Sequence, residues 1–135
     1  MLVRPSVLAA LALLAAGCGG TDPDEAVRSY FEAIVDRDGQ RACDELSEEL
    51  RREVERSPAA RGEGRTCADV MNLAVGLNPG LRKQEVEELD IEVETDGDRA
   101  VARLENPLVR RRETIRLVKE DGDWKISTLA TRPQG

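Results

Sequence analysis

The sequence predicts an α+β domain in which three N-terminal helices pack on one face of a curved, four-stranded antiparallel sheet. Three observations carry this. Apolar residues recur every three or four positions as far as about Leu77, from Gln84 the apolar period falls to two, and Asp-Gly occurs at 96–97 and 121–122 between alternating segments, the spacing of hairpin turns.

In chain order, the first feature is a leader at residues 1–17. Arg4 and the amino terminus supply a positive start, Val7 to Ala16 is an apolar run of ten residues, and Ala16-Gly17 are small. Such a run is too short to span a bilayer but fits a cleaved signal peptide. Leu14-Ala15-Ala16-Gly17-Cys18 resembles the lipobox of bacterial lipoproteins, which implies a diacylglycerol anchor on Cys18 and a short tether over residues 18–22. The expected location is the extracytoplasmic face of the cell membrane. The domain itself is expected over 23–131, with a tail at 132–135.

Asp22-Pro23-Asp24-Glu25 has the composition of a helix start, with Asp22 as cap, Pro23 in the first helical position and Glu25 where a capping box needs it. Val27, Tyr30, Phe31, Ile34 and Val35 form its apolar stripe, and Gly39 is the expected stop. A second helix is predicted from about Gln40 to Arg56, burying Ala42, Cys43, Leu46, Leu50 and Val54, with Ser47 able to cap a fresh start within it; Ser57-Pro58 ends it. Residues 59 to 65 are expected to be an exposed loop. Thr66 and Asp69 then cap a third helix running to about Leu77, closed by Asn78-Pro79-Gly80.

The alternation that begins near Gln84 places Leu89, Ile91 and Val93 inward and Glu88, Asp90, Glu92 and Glu94 outward. A two-residue turn at Asp96-Gly97 would set Val93 opposite Ala100, Ile91 opposite Ala102 and Leu89 opposite Leu104, with Glu94 facing Arg99 and Asp90 facing Arg103. Asp121-Gly122 would likewise bring Leu117 opposite Ile126 and Lys119 opposite Trp124, in a hairpin from about Glu113 to Leu129. Both Asp-Gly-Asp segments are explained by turn chemistry, since a calcium loop needs more oxygen ligands at alternating positions and a closing Glu.

Composition excludes several functions. The chain has 135 residues, formal net charge −7 and no histidine; loss of Arg4 with the leader leaves 118 residues at −8. One domain of ordinary size remains. The acidic excess argues against a nucleic-acid partner, and the absence of His removes both the usual base near neutral pH and the commonest metal ligand, so neither metal nor cofactor is expected. With Cys18 assigned to lipid, Cys43 and Cys67 are left as a pair. Each shares a helical face with apolar neighbours, Cys43 with Leu46 and Leu50, Cys67 with Val70, Met71 and Ala74, so a structural disulfide is expected in an exported chain, worth roughly 3 kcal/mol by loop closure. Arg110-Arg111-Arg112 is expected to be a solvated strand edge.

Glu25 to Ile34, Asp38 to Leu46 and Gly122-Asp123-Trp124-Lys125-Ile126 resemble corresponding stretches of the nuclear transport factor 2-like superfamily, and more narrowly small actinobacterial lipoproteins of that fold. The resemblance implies a cone whose open end can hold an apolar ligand, with Tyr30, Phe31 and Trp124 as possible lining. Enzymes of the superfamily pair an Asp or Glu base with Tyr or His inside the cone; here only Glu87 among the carboxylates at 87–94 has inward parity, and it falls at the start of a strand. No catalytic residue is therefore expected. The reading is a lipid-anchored, non-catalytic domain that binds an envelope protein or a small apolar ligand, the alternative being a small isomerase- or dehydratase-like enzyme on the same fold.

Overall fold

The computed structural model describes residues 22–60, 65–77, 82–106 and 111–129. The expected leader, Cys18 and the tail lie outside the described residues, as do Asn78-Pro79-Gly80 and Arg110. The architecture is α+β, with five helices and one four-stranded antiparallel sheet among the described residues.

Helix α1 spans Pro23–Val35, with extended Asp22 as its N-cap and proline in the first turn. The Asp22 side chain makes no capping bond; the Ala26 N–H reaches the Asp22 carbonyl at 3.1 Å. Proline's fixed φ, already in the helical range, starts the helix in its place. The helix also ends differently from expectation. Arg37 takes the left-handed conformation at φ 56°, its N–H bonding to Ile34 O and that of Asp38 to Ala33 O, a Schellman arrangement completed before Gly39 is reached.

Gly39 instead opens helix α2, Gly39–Asp44. It is buried where α2 crosses α4, Cys67–Leu77: a Cβ at this position would collide with the Ala68 carbonyl and the Asn72 side chain. Its N–H donates to Asn72 Oδ1 at 2.9 Å. Glycine is needed here for close approach. The same crossing holds the Cys43–Cys67 disulfide, with Cα atoms 6.1 Å apart and both residues buried. The Thr66 capping box forms as expected, Asp69 N–H bonding to Thr66 Oγ1 at 3.3 Å and Thr66 N–H to Asp69 Oδ2 at 2.9 Å.

The helix expected from Gln40 to Arg56 is two. Helix α3, Glu48–Arg56, starts afresh at Ser47, whose Oγ accepts the Leu50 N–H at 3.2 Å, and stops at Ser57. Between the two, Glu45 caps α2 with helical angles, Leu46 bridges to Ile126 and Ser47 is extended, with Ile126 N–H bonding to Glu45 O and Ser47 N–H to Ile126 O, each at 2.8 Å. Satisfying strand backbone outweighs continuing the helix. Ala60, in the expected exposed loop, is buried at the end of a short 3₁₀ turn, Pro58–Ala60.

Gln84 does not begin a strand. Lys83–Glu87 form helix α5, in which Glu85 Oε2 accepts the Arg82 N–H at 3.0 Å and Val86 is buried. Lys, Gln and Glu favour helix over strand, and the Arg28 guanidinium of α1 ties the segment down by donating to Val86 O at 2.8 Å and Leu89 O at 3.2 Å. Glu87 is consequently an exposed helical residue, not an inward one.

The strands are β1 Asp90–Asp96, β2 Arg99–Asn106, β3 Arg111–Glu120 and β4 Asp123–Thr128, in the order β1-β2-β3-β4. The second hairpin has the expected register, Leu117 facing Ile126 and Lys119 facing Trp124 across Asp121-Gly122, both at positive φ as a type I′ turn requires. The first is displaced by two. Its turn is Gly97-Asp98, so Val93 faces Ala102, Ile91 faces Leu104 and Glu94 faces Val101. Gly97 at φ 58° in the leading turn position matches type II′, and Lys119 N–H of β3 holds the Asp98 carbonyl at 2.7 Å. A shift of two preserves which residues face inward. Ala26, Val27, Tyr30 and Ala33 of α1 therefore meet Ala100, Ala102, Leu104, Ile115, Leu117, Trp124 and Ile126 in one core.

Candidate functional site

Tyr30, Phe31 and Trp124, the possible ligand-lining residues, are all at the core. Tyr30 and Trp124 are 8% and 7% exposed, and Phe31 packs on Tyr30 edge to face, ring centroids 5.3 Å apart. The Lys119 ammonium lies 5.7 Å from the centre of the Trp124 ring, a cation–π contact at the rim of the core. Tyr30 is on the inner face of α1, one turn after Val27, and Trp124 is brought inward by the Asp121-Gly122 turn.

One carboxylate shares this interior. Glu113 has the parity of buried Ile115 and Leu117, faces Leu104 across the β2–β3 ladder and is half-buried. The signal for it is in the sequence, since Glu113 lies two residues before inward Ile115 on the strand, beyond the carboxylates at 87–94. Its influence is visible at Tyr30, where burial raises the phenol to about 12 and the Glu113 charge pushes it the same way. Tyr30 is thus a neutral hydroxyl at all ordinary pH. The strand carboxylates Asp90, Glu92 and Glu94 are exposed on the opposite face, as expected.

Two grooves among the described residues bear on this site. One, of about 560 Å³, runs between α3 and the β3–β4 hairpin and is lined chiefly by charged groups, among them Arg51, Glu55, Glu120, Asp121 and Asp123. Glu120 is already engaged, its carboxylate accepting the Glu48 N–H at 2.9 Å at the start of α3. The buried Nε of Arg51 has no hydrogen-bond partner. The second, of about 410 Å³, lies at the end of the sheet where Asp90 and Glu92 of β1, Arg103 and Glu105 of β2 and Arg112 of β3 come together, and the inward-facing pair Leu104 and Glu113 also lines it. Ion pairs lie along the outer face beside it, Arg103 to Glu94 at 3.3 Å and Arg112 to Glu105 at 3.5 Å. Arg112 is thus a solvated, paired strand residue. Neither groove is lined by Tyr30, Phe31 or Trp124.

Among the described residues no group of three or more Cys, Asp or Glu is placed to hold a metal ion, and no helix is long and apolar enough to cross a membrane. No protein-family model matches the chain, and no curated protein or solved structure is significantly similar to it.

Proposed function

We propose that this protein is a lipid-anchored, extracytoplasmic domain of the nuclear transport factor 2-like type that acts by binding a partner at the cell envelope rather than by catalysis. The observation that supports binding over catalysis is where the space lies. Beneath the sheet, the chain's own Tyr30, Trp124, Ile115, Leu117 and Ile126 occupy the interior, each less than a tenth exposed, whereas the two grooves described above are lined mainly by charged groups and by none of these residues. Such surfaces suit a polar protein partner better than an apolar small molecule, whose sites are mostly apolar and enclosed. The membrane anchor on Cys18 supplies the location, and the acidic balance disfavours nucleic acid.

The enzymatic alternative retains one specific support, the inward Glu113 beside a phenol that stays protonated. A carboxylate base and a neutral hydroxyl donor are what proton transfer next to a carbonyl would use. The two readings separate on Tyr30→Phe. As a core residue, Tyr30 keeps its ring against Val27 and Ile34, and loss of the hydroxyl costs at most about 1 kcal/mol of stability with partner binding intact. As an oxyanion donor it would be worth roughly 10² to 10³ in turnover at unchanged stability. Recovery of the exported, membrane-anchored protein with its bound proteins and small molecules, analysed together by mass spectrometry, is the matching direct test. A protein retained equally by wild type and Tyr30→Phe is the expected result; a small molecule lost from the variant favours the enzyme.

A further inference from the structure

The two edges of the sheet are treated differently. The outer edge of β4 is occupied by the chain itself, through the paired bonds of Ile126 with Glu45 and Ser47, and Lys125 Nζ reaches Asp44 O beside them. The outer edge of β1 carries no such segment: β1 pairs with β2 alone, and among the described residues no backbone hydrogen bond joins 90–96 to anything else. Along this regular seven-residue strand, which has neither proline nor bulge, alternate residues turn their N–H and C=O away from β2, and among the described residues these groups have no backbone partner.

The side chains of that edge are sorted by face. Asp90, Glu92, Glu94 and Asp96 all project outward and are exposed, while Ile91 and Val93 are half-buried against the margin of the core. Among the described residues only Glu94 of these four has an ion-pair partner, Arg103. A second copy of β1 is a poor occupant, because pairing the edge with itself brings carboxylates together. A strand that alternates basic and apolar residues is complementary on both faces, setting ammonium or guanidinium groups against the carboxylates and extending the apolar layer past Ile91 and Val93.

We infer that the open β1 edge is a strand-addition site for an extended protein segment alternating basic and apolar residues. This rests on the partner-binding reading and specifies its surface. Main-chain hydrogen bonds along the edge would supply affinity, and the carboxylate row would supply the choice of partner.

The probe is a nine-residue blocked peptide alternating Lys and Val, with a Glu/Val peptide and a Lys/Val peptide N-methylated on alternate amides as comparators. Each is added to the exported, anchored protein in detergent, and binding is followed by fluorescence anisotropy and hydrogen-exchange mass spectrometry. The Lys/Val peptide is expected to bind about tenfold or more tightly than either comparator, to weaken with salt, and to slow exchange in residues 90–96. Glu92→Lys/Glu94→Lys/Asp96→Lys, exposed changes that leave lysines outnumbering Asp90 along the row, is expected to reverse the preference to the Glu/Val peptide, a result that also shows the variant is folded. Binding without protection of 90–96, equal binding of the N-methylated peptide, an unreversed preference or no binding overturns the inference. An envelope protein captured equally by wild type and the charge-reversed variant overturns this site alone, whereas failure of both to capture any protein overturns the binding reading beneath it.

Discussion

Tyr30 shows how a single side chain couples packing to pH. It is the chain's only tyrosine. Burial, with the Glu113 charge added, raises its phenol from the ordinary 10 to about 12. A group whose folded pKa is raised contributes stability that is fully present below the unfolded value and disappears as pH climbs through the folded one, so this contribution fades between about pH 10 and 12. The shift corresponds to roughly 2 to 3 kcal/mol. Absorbance at 295 nm is expected to show the phenol ionising together with loss of native circular dichroism; ionisation near pH 10 in a folded protein would contradict the buried position. Gly39 shows the opposite dependence, on the absence of a side chain. Because a Cβ there meets backbone of α4, Gly39→Ala is expected to push the α2–α4 crossing apart and destabilise the domain by about 1 to 3 kcal/mol, measured as a lowered midpoint in urea. Neither effect could be foreseen from type alone. Tyr30 fits an apolar stripe wherever the stripe is packed, and Gly39 looks like a helix stop until the helix crossing it is known.

The two hairpins share an Asp-Gly dipeptide yet place it differently, which separates local from non-local control of register. At 121–122 the dipeptide is itself the turn, and at 96–97 only Gly97 belongs to it. The sequence offered two cross-strand salt bridges for the other register, Glu94 with Arg99 and Asp90 with Arg103. Exposed pairs of that kind contribute little, so they cannot overrule the bond from Lys119 N–H to the Asp98 carbonyl and the ladder that β3 makes along β2. Apolar pairing could not discriminate either, because a slip of two leaves every inward residue inward. A cross-linking pair tests the outcome. Glu94→Cys/Val101→Cys, directly opposite, is expected to oxidise to an additional disulfide on the outer face, whereas Glu94→Cys/Arg99→Cys, two positions out of step, is expected to stay reduced under the same conditions, read by thiol alkylation. Oxidation of the second pair alone would restore the Asp96-Gly97 turn. Helix α5 and the break at Glu45–Ser47 follow the same logic: in each, a periodic pattern continuous in sequence is cut by hydrogen bonds from a distant element, Arg28 in the first and Ile126 in the second.

Across the whole chain, a tether of a few residues between Cys18 and α1 would hold the domain close to the bilayer, and the described helices offer no membrane span of their own. If Cys18 carries the lipid, Cys18→Ala is expected to release the processed protein from the membrane fraction. Its acyl chains contribute about 0.8 kcal/mol per buried methylene and nothing else in the described residues replaces them. Retention of a processed Cys18→Ala protein on membranes after a salt wash would remove the anchor from the account. The α+β class, the order of helices before strands, the Thr66 cap, the Asp121-Gly122 turn and the Cys43–Cys67 bond were all legible in the sequence, because each depends on residues close together or on a simple count of what faces inward. The tertiary structure alone decided that Ile126 of β4 holds the gap between α2 and α3, that Gly39 serves a helix crossing, that the segment around Gln84 is helix α5 tied to Arg28 and that the first hairpin turns at Gly97-Asp98. The physical reason is common to all four. Local sequence leaves alternatives that differ by about 1 kcal/mol or less, and the choice falls to hydrogen bonds and steric contacts with elements remote in the chain, which no local period encodes.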